Sequence, residues 1–331
     1  IARVHRQMGL AFAGGGLIGV LFVIVTLDRF FEGDVRYIAI TVGIMVSRSI
    51  MAAARGTLAG HRRFAGYGGT IALEAGALLT GGVIAAIADL PAPAFALVMA
   101  IAPLATLLAR PFADIEGTGA PSDVDAQPGS FLAWLILATT ASQLIIAGGP
   151  IAVSFVGGSA AAVSIFFTTF ALLRGPVTSA YHLVARVLPD FTALAQGDDP
   201  KAVWRWAPRI TGGAVVLAVL GAVGAGLLLG TIIEIVYGAD FVPPTLAAVL
   251  GGAGVGLGLG ALFATQIYSA TARGAMLAAG WGIALAAAVF TLVIATGLDP
   301  IERVALGFVV GEATGLAILG LVLPTIVTRK R

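Results

Sequence analysis

Long uninterrupted runs of apolar residues constrain the fold of this chain more than any other feature. The hydrocarbon core of a bilayer is about 30 Å thick and needs about 20 apolar residues per spanning helix. Runs of this length predict ten spans, at residues 8–27, 37–55, 66–88, 93–109, 131–155, 160–183, 210–236, 241–269, 274–296 and 304–325. The runs are continuously apolar rather than alternating, which argues against a β-barrel. The sequence therefore predicts an all-α polytopic membrane protein.

The composition supports this class and removes several others. Charged residues make up 11% of the chain, against about 25% in soluble domains. There is no Cys, and the three His are scattered, which excludes disulfides, thiol catalysis and a histidine metal cage. No nucleotide-binding loop, zinc-protease or hydrolase motif occurs, and aromatic residues are not interleaved with basic ones. We therefore expect no catalytic residue, no metal, no cofactor and no nucleic-acid partner.

The distribution of Lys and Arg predicts the orientation of the spans. If residue 1 lies in the cytoplasm, 14 of the 19 basic residues fall on the cytoplasmic side and only Arg29, Arg36 and Arg303 fall in outer loops. Cytoplasmic loops of membrane proteins carry such an excess of Lys and Arg. The pattern predicts a multi-pass protein of the cell's inner (plasma) membrane with both termini cytoplasmic.

A polar stretch at residues 111–130, with three prolines and four acidic residues, divides the spans into four and then six. It is typical of a flexible cytoplasmic linker. The sequence therefore predicts an N-terminal lobe at 1–110 and a C-terminal lobe at 131–331. Matching features recur between the lobes at a separation of 202–210 residues, which indicates two copies of a six-helix unit. We accordingly expect the N-terminal lobe to be truncated, with two further helices before Ile1.

Ionisable residues inside the spans are few, and each costs at least about 2.5 kcal/mol at mid-membrane. They are Arg48, Glu74, Arg174, Glu234 and Glu312. Glu234 lies near an outer helix end and can reach lipid headgroups, so we interpret it as structural. The other four are candidate substrate-binding residues. A run of six glycines at positions 251–260 lies within an apolar span and predicts close helix packing.

Two stretches resemble the polysaccharide-transporter, or O-antigen-type flippase, branch of the multidrug/oligosaccharidyl-lipid/polysaccharide flippase superfamily. The first, Arg55-Gly56-Thr57-Leu58-Ala59-Gly60-His61-Arg62-Arg63-Phe64, resembles that family's R-G-x-L-x-G-x-x-R-F turn. The second is similar to its seventh and eighth helices and contains Gly149-Pro150, Phe166, Leu173-Arg174-Gly175-Pro176 and Leu188-Pro189. The chain departs from the family in lacking the first two helices and in having Gly149 where Asn is often found.

The resemblance implies two six-helix lobes around a central cavity through which polyprenyl-diphosphate-linked oligosaccharides are exported by alternating access. The implied partners are the lipid-linked oligosaccharide, membrane lipids and glycan-assembly proteins, in the synthesis of cell-surface polysaccharide. A drug or cation antiporter of the same superfamily is the main alternative, favoured if the cavity is acidic and aromatic rather than basic. A membrane-bound sugar ligase or polymerase would normally carry a large outer loop, which is absent here. A non-transporting scaffold is a further alternative.

Under this hypothesis, Arg48 and Arg174 face a shared cavity and bind the diphosphate, because guanidinium groups match phosphate oxygens in a bidentate fork. Glu312 would neutralise an arginine when the site is empty. In the alternative, the arginines extend to the headgroups or pair permanently with Glu74 and Glu312, and no basic cavity forms.

Overall fold

The computed structural model describes residues 2–61, 63–113, 128–197, 202–322 and 324. These residues are almost entirely helical, and no strand occurs among them. The chain separates into two compact units, unit 1 at residues 1–124 and unit 2 at residues 125–331. The boundary between the units lies within the polar stretch 111–130.

Unit 1 consists of helices joined by short turns. They are α1 (Ala2–Val25), α2 (Leu27–Phe30), α3 (Arg36–Gly60), α4 (Phe64–Ile87) and α5 (Ala92–Ile101), the last continued by a 3₁₀ segment at Ala102–Ala109. Helices α3 and α4 form an antiparallel hairpin across a basic turn that includes His61 and Arg63. Leu58, near the end of α3, is fully buried and packs beside Gly66, where an added methyl group would lie 3.2 Å from the leucine side chain.

Unit 2 contains the remaining helices. They are α6 (Pro128–Ala147), α7 (Gly149–Phe155), α8 (Ala160–Leu173), α9 (Gly175–Gln196), α10 (Trp206–Gly224), α11 (Gly230–Tyr237), α12 (Thr245–Ala270), α13 (Gly274–Ile294) and α14 (Pro300–Ala317). Short 3₁₀ segments occupy Ala202–Arg205 and Ala239–Phe241, and π-helical turns occupy Ala225–Leu229 and Ile318–Val322. Tyr268 donates a 2.7 Å hydrogen bond to the Leu319 carbonyl within the second π turn.

The described helices confirm an all-α polytopic membrane protein. Eight are long and apolar enough to cross a bilayer, and a ninth candidate is the bent pair α8–α9. The eight are Arg36–Gly60, Phe64–Ile87, Ala92–Ala109, Ser130–Ala147, Ala202–Tyr237, Thr245–Ala270, Gly274–Ile294 and Pro300–Val322. The first predicted span, 8–27, coincides with most of α1, whose described apolar part is Ala13–Val25. The predicted span 131–155 is broken near Gly148 into α6 and α7.

Helix α12 is the central helix of unit 2, and its glycines bring neighbouring helices to backbone contact. A methyl group at Gly252 or Gly256 would overlap the backbone of α10, at Gly221 and Ala218 respectively. A methyl group at Gly254 would instead overlap Phe308 on α14. Because glycine lacks Cβ, helices can approach this closely only where it occurs. The prediction of close packing from the glycine run is confirmed.

Replacing Gly256 with alanine is therefore expected to destabilise unit 2, because the added methyl group meets backbone atoms of α10 that cannot rotate away. Overpacking of this kind costs about 1–3 kcal/mol. Gly282 on α13 provides the matched control, since nothing lies within 4 Å of a methyl group added there. We expect a lower melting temperature for Gly256→Ala and no decrease for Gly282→Ala. Equal melting temperatures for the two variants would contradict the close α10–α12 packing.

Candidate functional site

Two arginines and one glutamate form a charged cluster within the α3–α4 hairpin of unit 1. Arg48 Nη1 lies 2.7 Å from Glu74 Oε1, and Arg55 Nη2 lies 2.7 Å from Glu74 Oε2. Arg55 Nε also donates to the hydroxyl of Thr70 at 3.2 Å. Each carboxylate oxygen of Glu74 thus accepts from a different guanidinium group.

The geometry of the hairpin explains this cluster. Arg48 and Arg55 are seven residues apart on α3, which places them on the same helix face two turns apart. Glu74 lies about as far after the turn as the midpoint between the two arginines lies before it. In the antiparallel hairpin, Glu74 is therefore opposite both arginines. Two positive charges share one negative charge, and the cluster has a net charge of +1.

The two arginines differ in their surroundings. The side chain of Arg48 is 42% exposed, whereas those of Arg55 and Glu74 are 15% and 10% exposed. Arg55 and Glu74 therefore form the buried part of the cluster, and Arg48 extends outward from it. The Arg48 guanidinium is the one that a ligand of unit 1 can approach.

In the structure Arg48 pairs with Glu74. From the sequence, this pairing was the alternative to an Arg48 that faces a substrate cavity. Helix α3 continues to Gly60, five residues beyond the predicted span, so Arg48 lies twelve residues from either end of the helix. An arginine side chain cannot cover that distance to a headgroup, and it pairs with Glu74 instead. Arg55 was not predicted as a site residue, because it falls at the end of the predicted span. Its seven-residue spacing from Arg48 could have indicated that the two arginines share a helix face.

Arg174 lies at a bend between α8 and α9 in unit 2. The two helices meet at 47°, and Gly175-Pro176 at the start of α9 explains the break. Proline lacks an N–H group, and its ring clashes with the preceding turn of a continuous helix. The bend places a partly buried cationic side chain between α8, which contains no charged residue, and the start of α9.

The guanidinium of Arg174 has unused donors. Its Nε donates to the Phe170 carbonyl at 3.1 Å, and this is its only hydrogen bond within the part of the chain that the structure describes. No carboxylate forms an ion pair with it among those residues. The guanidinium group has five N–H donors, so most of its hydrogen-bonding capacity and all of its charge are available to an anion.

An apolar groove begins two residues after Arg174. The groove encloses about 370 Å³ between α9, α10 and α12, and Pro176, Leu183, Leu217 and Phe263 are among its lining residues. Leu183 and Leu217 are exposed to about half of their full extent, so the groove is open to the surface of the unit. Arg174 is not among the residues that line the groove, but it precedes the lining residue Pro176 by two positions at the start of α9.

Glu312 is completely buried on α14. Neither of its carboxyl oxygens has a hydrogen-bond partner within the described residues. Glu312 forms no ion pair with Arg174 among the described residues, and its neutralisation of an arginine stays a prediction. Gly258 on α12 faces the carboxyl group, and a methyl group added there would lie 3.2 Å from Oε2.

A second cavity, of about 290 Å³, lies among α6, α9, α12 and α13. The cavity is lined by Gly258 and by aromatic, aliphatic, hydroxyl-bearing and amide-bearing side chains. These are Phe131, Leu135, Ala138, Thr139, Ser142, Ile146, Tyr181, Leu188, Leu262, Thr265, Gln266, Ser269, Leu277 and Trp281. Gln143 donates to the Tyr181 hydroxyl at 2.8 Å, and Trp281 Nε1 donates to Thr265 at 3.0 Å. We call this space the polar cavity of unit 2.

The candidate residues are thus distributed over both units. Arg48 and Glu74 are brought together in unit 1, and Arg174 and Glu312 lie in unit 2 without pairing to each other. A cavity shared by Arg48 and Arg174 stays a prediction. Comparison with protein families, with curated proteins and with solved structures gives no match to this chain.

Proposed function

We propose that this protein moves polyprenyl-diphosphate-linked oligosaccharides across the membrane by alternating access, as an O-antigen-type flippase of the multidrug/oligosaccharidyl-lipid/polysaccharide superfamily. The observation that carries the proposal is Arg174, whose guanidinium has unused donors and which precedes Pro176, a lining residue of the apolar groove, by two positions. A lipid diphosphate combines the two matching features, an anionic group and a long hydrocarbon chain. Arginine binds phosphate oxygens through paired N–H groups, and the groove can bury part of the isoprenoid tail.

The polar cavity of unit 2 supports the sugar part of the proposal. A sugar carries many hydroxyl groups, and burying each one without a partner costs about 1–3 kcal/mol. The Ser142 hydroxyl, the Gln266 amide and the Tyr181 hydroxyl line this cavity and can donate or accept hydrogen bonds. The flat faces of Trp281 and Phe131 can pack against the C–H surface of a sugar ring.

The cluster in unit 1 supports an anionic substrate in a second way. Arg48 is half exposed and belongs to a group of net charge +1, so it can attract a phosphate without losing its contact with Glu74. We place the protein in the cell's inner (plasma) membrane with both termini cytoplasmic, on the basis of its Lys and Arg distribution. Glycan-assembly proteins and membrane lipids are the partners consistent with this role in polysaccharide synthesis.

A drug or cation antiporter is the second candidate, and the lining of the polar cavity favours it. Phe131, Tyr181 and Trp281 are aromatic, and no Lys or Arg is among the residues that line this space. Aromatic faces attract organic cations by about 0.5–2 kcal/mol. A lipophilic cation such as tetraphenylphosphonium is the appropriate probe for this function.

The two candidates make opposite predictions in vesicles. The full chain is reconstituted into liposomes containing a fluorescent polyprenyl-diphosphate-linked oligosaccharide, and a membrane-impermeant quencher reports its movement between leaflets. We expect movement that protein-free liposomes lack, and no movement of a fluorescent phosphatidylcholine in the same vesicles. Uptake of tetraphenylphosphonium without movement of the glycolipid would contradict the flippase and support the antiporter.

A further inference from the structure

Glu312 is an ionisable group to which the proposed transport assigns no partner. It is the only carboxyl group among the buried residues of unit 2 that the structure describes. It lies about 18 Å along the helix from Pro300, near the middle of the apolar segment Pro300–Val322, at 1.5 Å per residue. Buried polar atoms are almost always hydrogen-bonded, so two carboxyl oxygens without partners require an explanation.

The helices that pack on α14 supply no charge to balance Glu312. They are α6, α7, α8, α12 and α13, and none of their described residues is Asp, Glu, Lys, Arg or His. The titratable group among them is Tyr268 on α12, whose hydroxyl is bonded to Leu319. On α14 itself, Glu302 and Arg303 lie nine or more residues away, and Tyr181 faces the polar cavity from α9. A carboxylate buried without a compensating charge is strongly disfavoured, and such a group takes up a proton instead, so the Glu312 carboxyl group is neutral.

The neutral carboxyl group lies directly behind the wall of the polar cavity. Gly258 lines that cavity and also faces the carboxyl group, with only 3.2 Å between Oε2 and an added methyl group. The wall at this point therefore has no side chain. The cavity has room for several water molecules, each of which occupies about 30 Å³ in the liquid, and Ser142 and Gln266 can hold them by hydrogen bonds.

We propose that Glu312 is a proton-binding site that exchanges its proton with water in the polar cavity across Gly258. On release, the carboxyl O–H bond breaks, the proton passes to a cavity water to form hydronium, and a carboxylate remains. On uptake the same steps run in reverse. A single carboxyl group is sufficient to hold a proton, whereas a metal ion such as Na⁺ requires several oxygen ligands. Proton binding at Glu312 is independent of which substrate the protein transports.

Infrared difference spectroscopy of the purified full chain tests this site directly, because a protonated carboxyl group has its own C=O stretching band. We expect a band that disappears as the pH is raised and that is absent in Glu312→Gln. Gln has nearly the shape of the neutral acid, so the variant should melt at the wild-type temperature at low pH. Glu302→Gln is the matched control; Glu302 lies on the same helix but is only partly buried, so this variant should retain the band.

Two further measurements identify the ion that Glu312 binds and the path by which its proton exchanges. Replacing K⁺ with Na⁺ at constant ionic strength should leave the band unchanged; loss of the band in Na⁺ would identify a sodium site and overturn the proposal. In D₂O the C=O band shifts as deuterium replaces the proton. Gly258→Ala should slow that shift, because its methyl group lies between the carboxyl group and the cavity. A band that persists in Glu312→Gln, or an unchanged exchange rate in Gly258→Ala, would also overturn it.

Discussion

Replacing Glu74 with alanine should destabilise the α3–α4 hairpin by about 3 kcal/mol, because two arginines then lose their shared carboxylate. Removing one partner of a buried ion pair typically costs 3–5 kcal/mol, and we take the lower end because Arg48 is partly exposed. The loss corresponds to roughly hundred-fold faster amide hydrogen exchange in α3 and α4, since 1.4 kcal/mol is a factor of ten. Hydrogen–deuterium exchange resolved to peptides of these helices measures the effect.

Three other variants test the same cluster. Arg55→Ala should cost more than Arg48→Ala, because Arg55 is the more buried arginine and also donates to Thr70. Glu74→Gln should behave like Glu74→Ala if the negative charge of the residue matters more than its volume. Exchange in α3 and α4 that is unchanged by Glu74→Ala would show that the cluster does not hold the hairpin together.

The structure agrees with the sequence where a local pattern dictates the result. Apolar runs of about 20 residues predict spanning helices because the bilayer sets the length, and the glycines of α12 predict close packing because only they permit it. The bend at Arg174 was also accessible, since Gly175-Pro176 interrupts any continuous helix. The predicted span 160–183 nevertheless ignored this dipeptide.

The remaining features depend on contacts between distant parts of the chain. That Arg55 shares Glu74 with Arg48 depends on the register of the hairpin, which is fixed by packing around Leu58 and the basic turn. The isolation of Glu312 depends on which faces of α12 and α13 are directed toward it. The groove on α9, α10 and α12 depends on how three helices from different parts of the sequence pack together, and no periodicity in the sequence encodes that packing.

Replacing Arg174 with alanine should greatly weaken the binding of an anionic lipid. A charge-assisted hydrogen bond contributes about 1.5–3 kcal/mol, and the guanidinium of Arg174 has free donors for more than one such bond. The lysine variant should bind with intermediate affinity, since it retains the charge but lacks the fork. Arg209→Ala is the matched control, because Arg209 is also an arginine of unit 2 but is exposed and lies over the Trp206 ring. Binding of uncharged polyprenol, which offers only a hydrocarbon chain to the groove, should be unaffected by Arg174→Ala.

The affinity of the full chain for polyprenyl diphosphate, measured in nanodiscs for the wild type and for Arg174→Ala, decides whether Arg174 binds the lipid diphosphate. We expect a loss of about a hundred-fold, equivalent to roughly 3 kcal/mol, with wild-type affinity retained by Arg209→Ala. Equal affinities of the wild type and Arg174→Ala would contradict the assignment of Arg174 as the site that binds the lipid diphosphate.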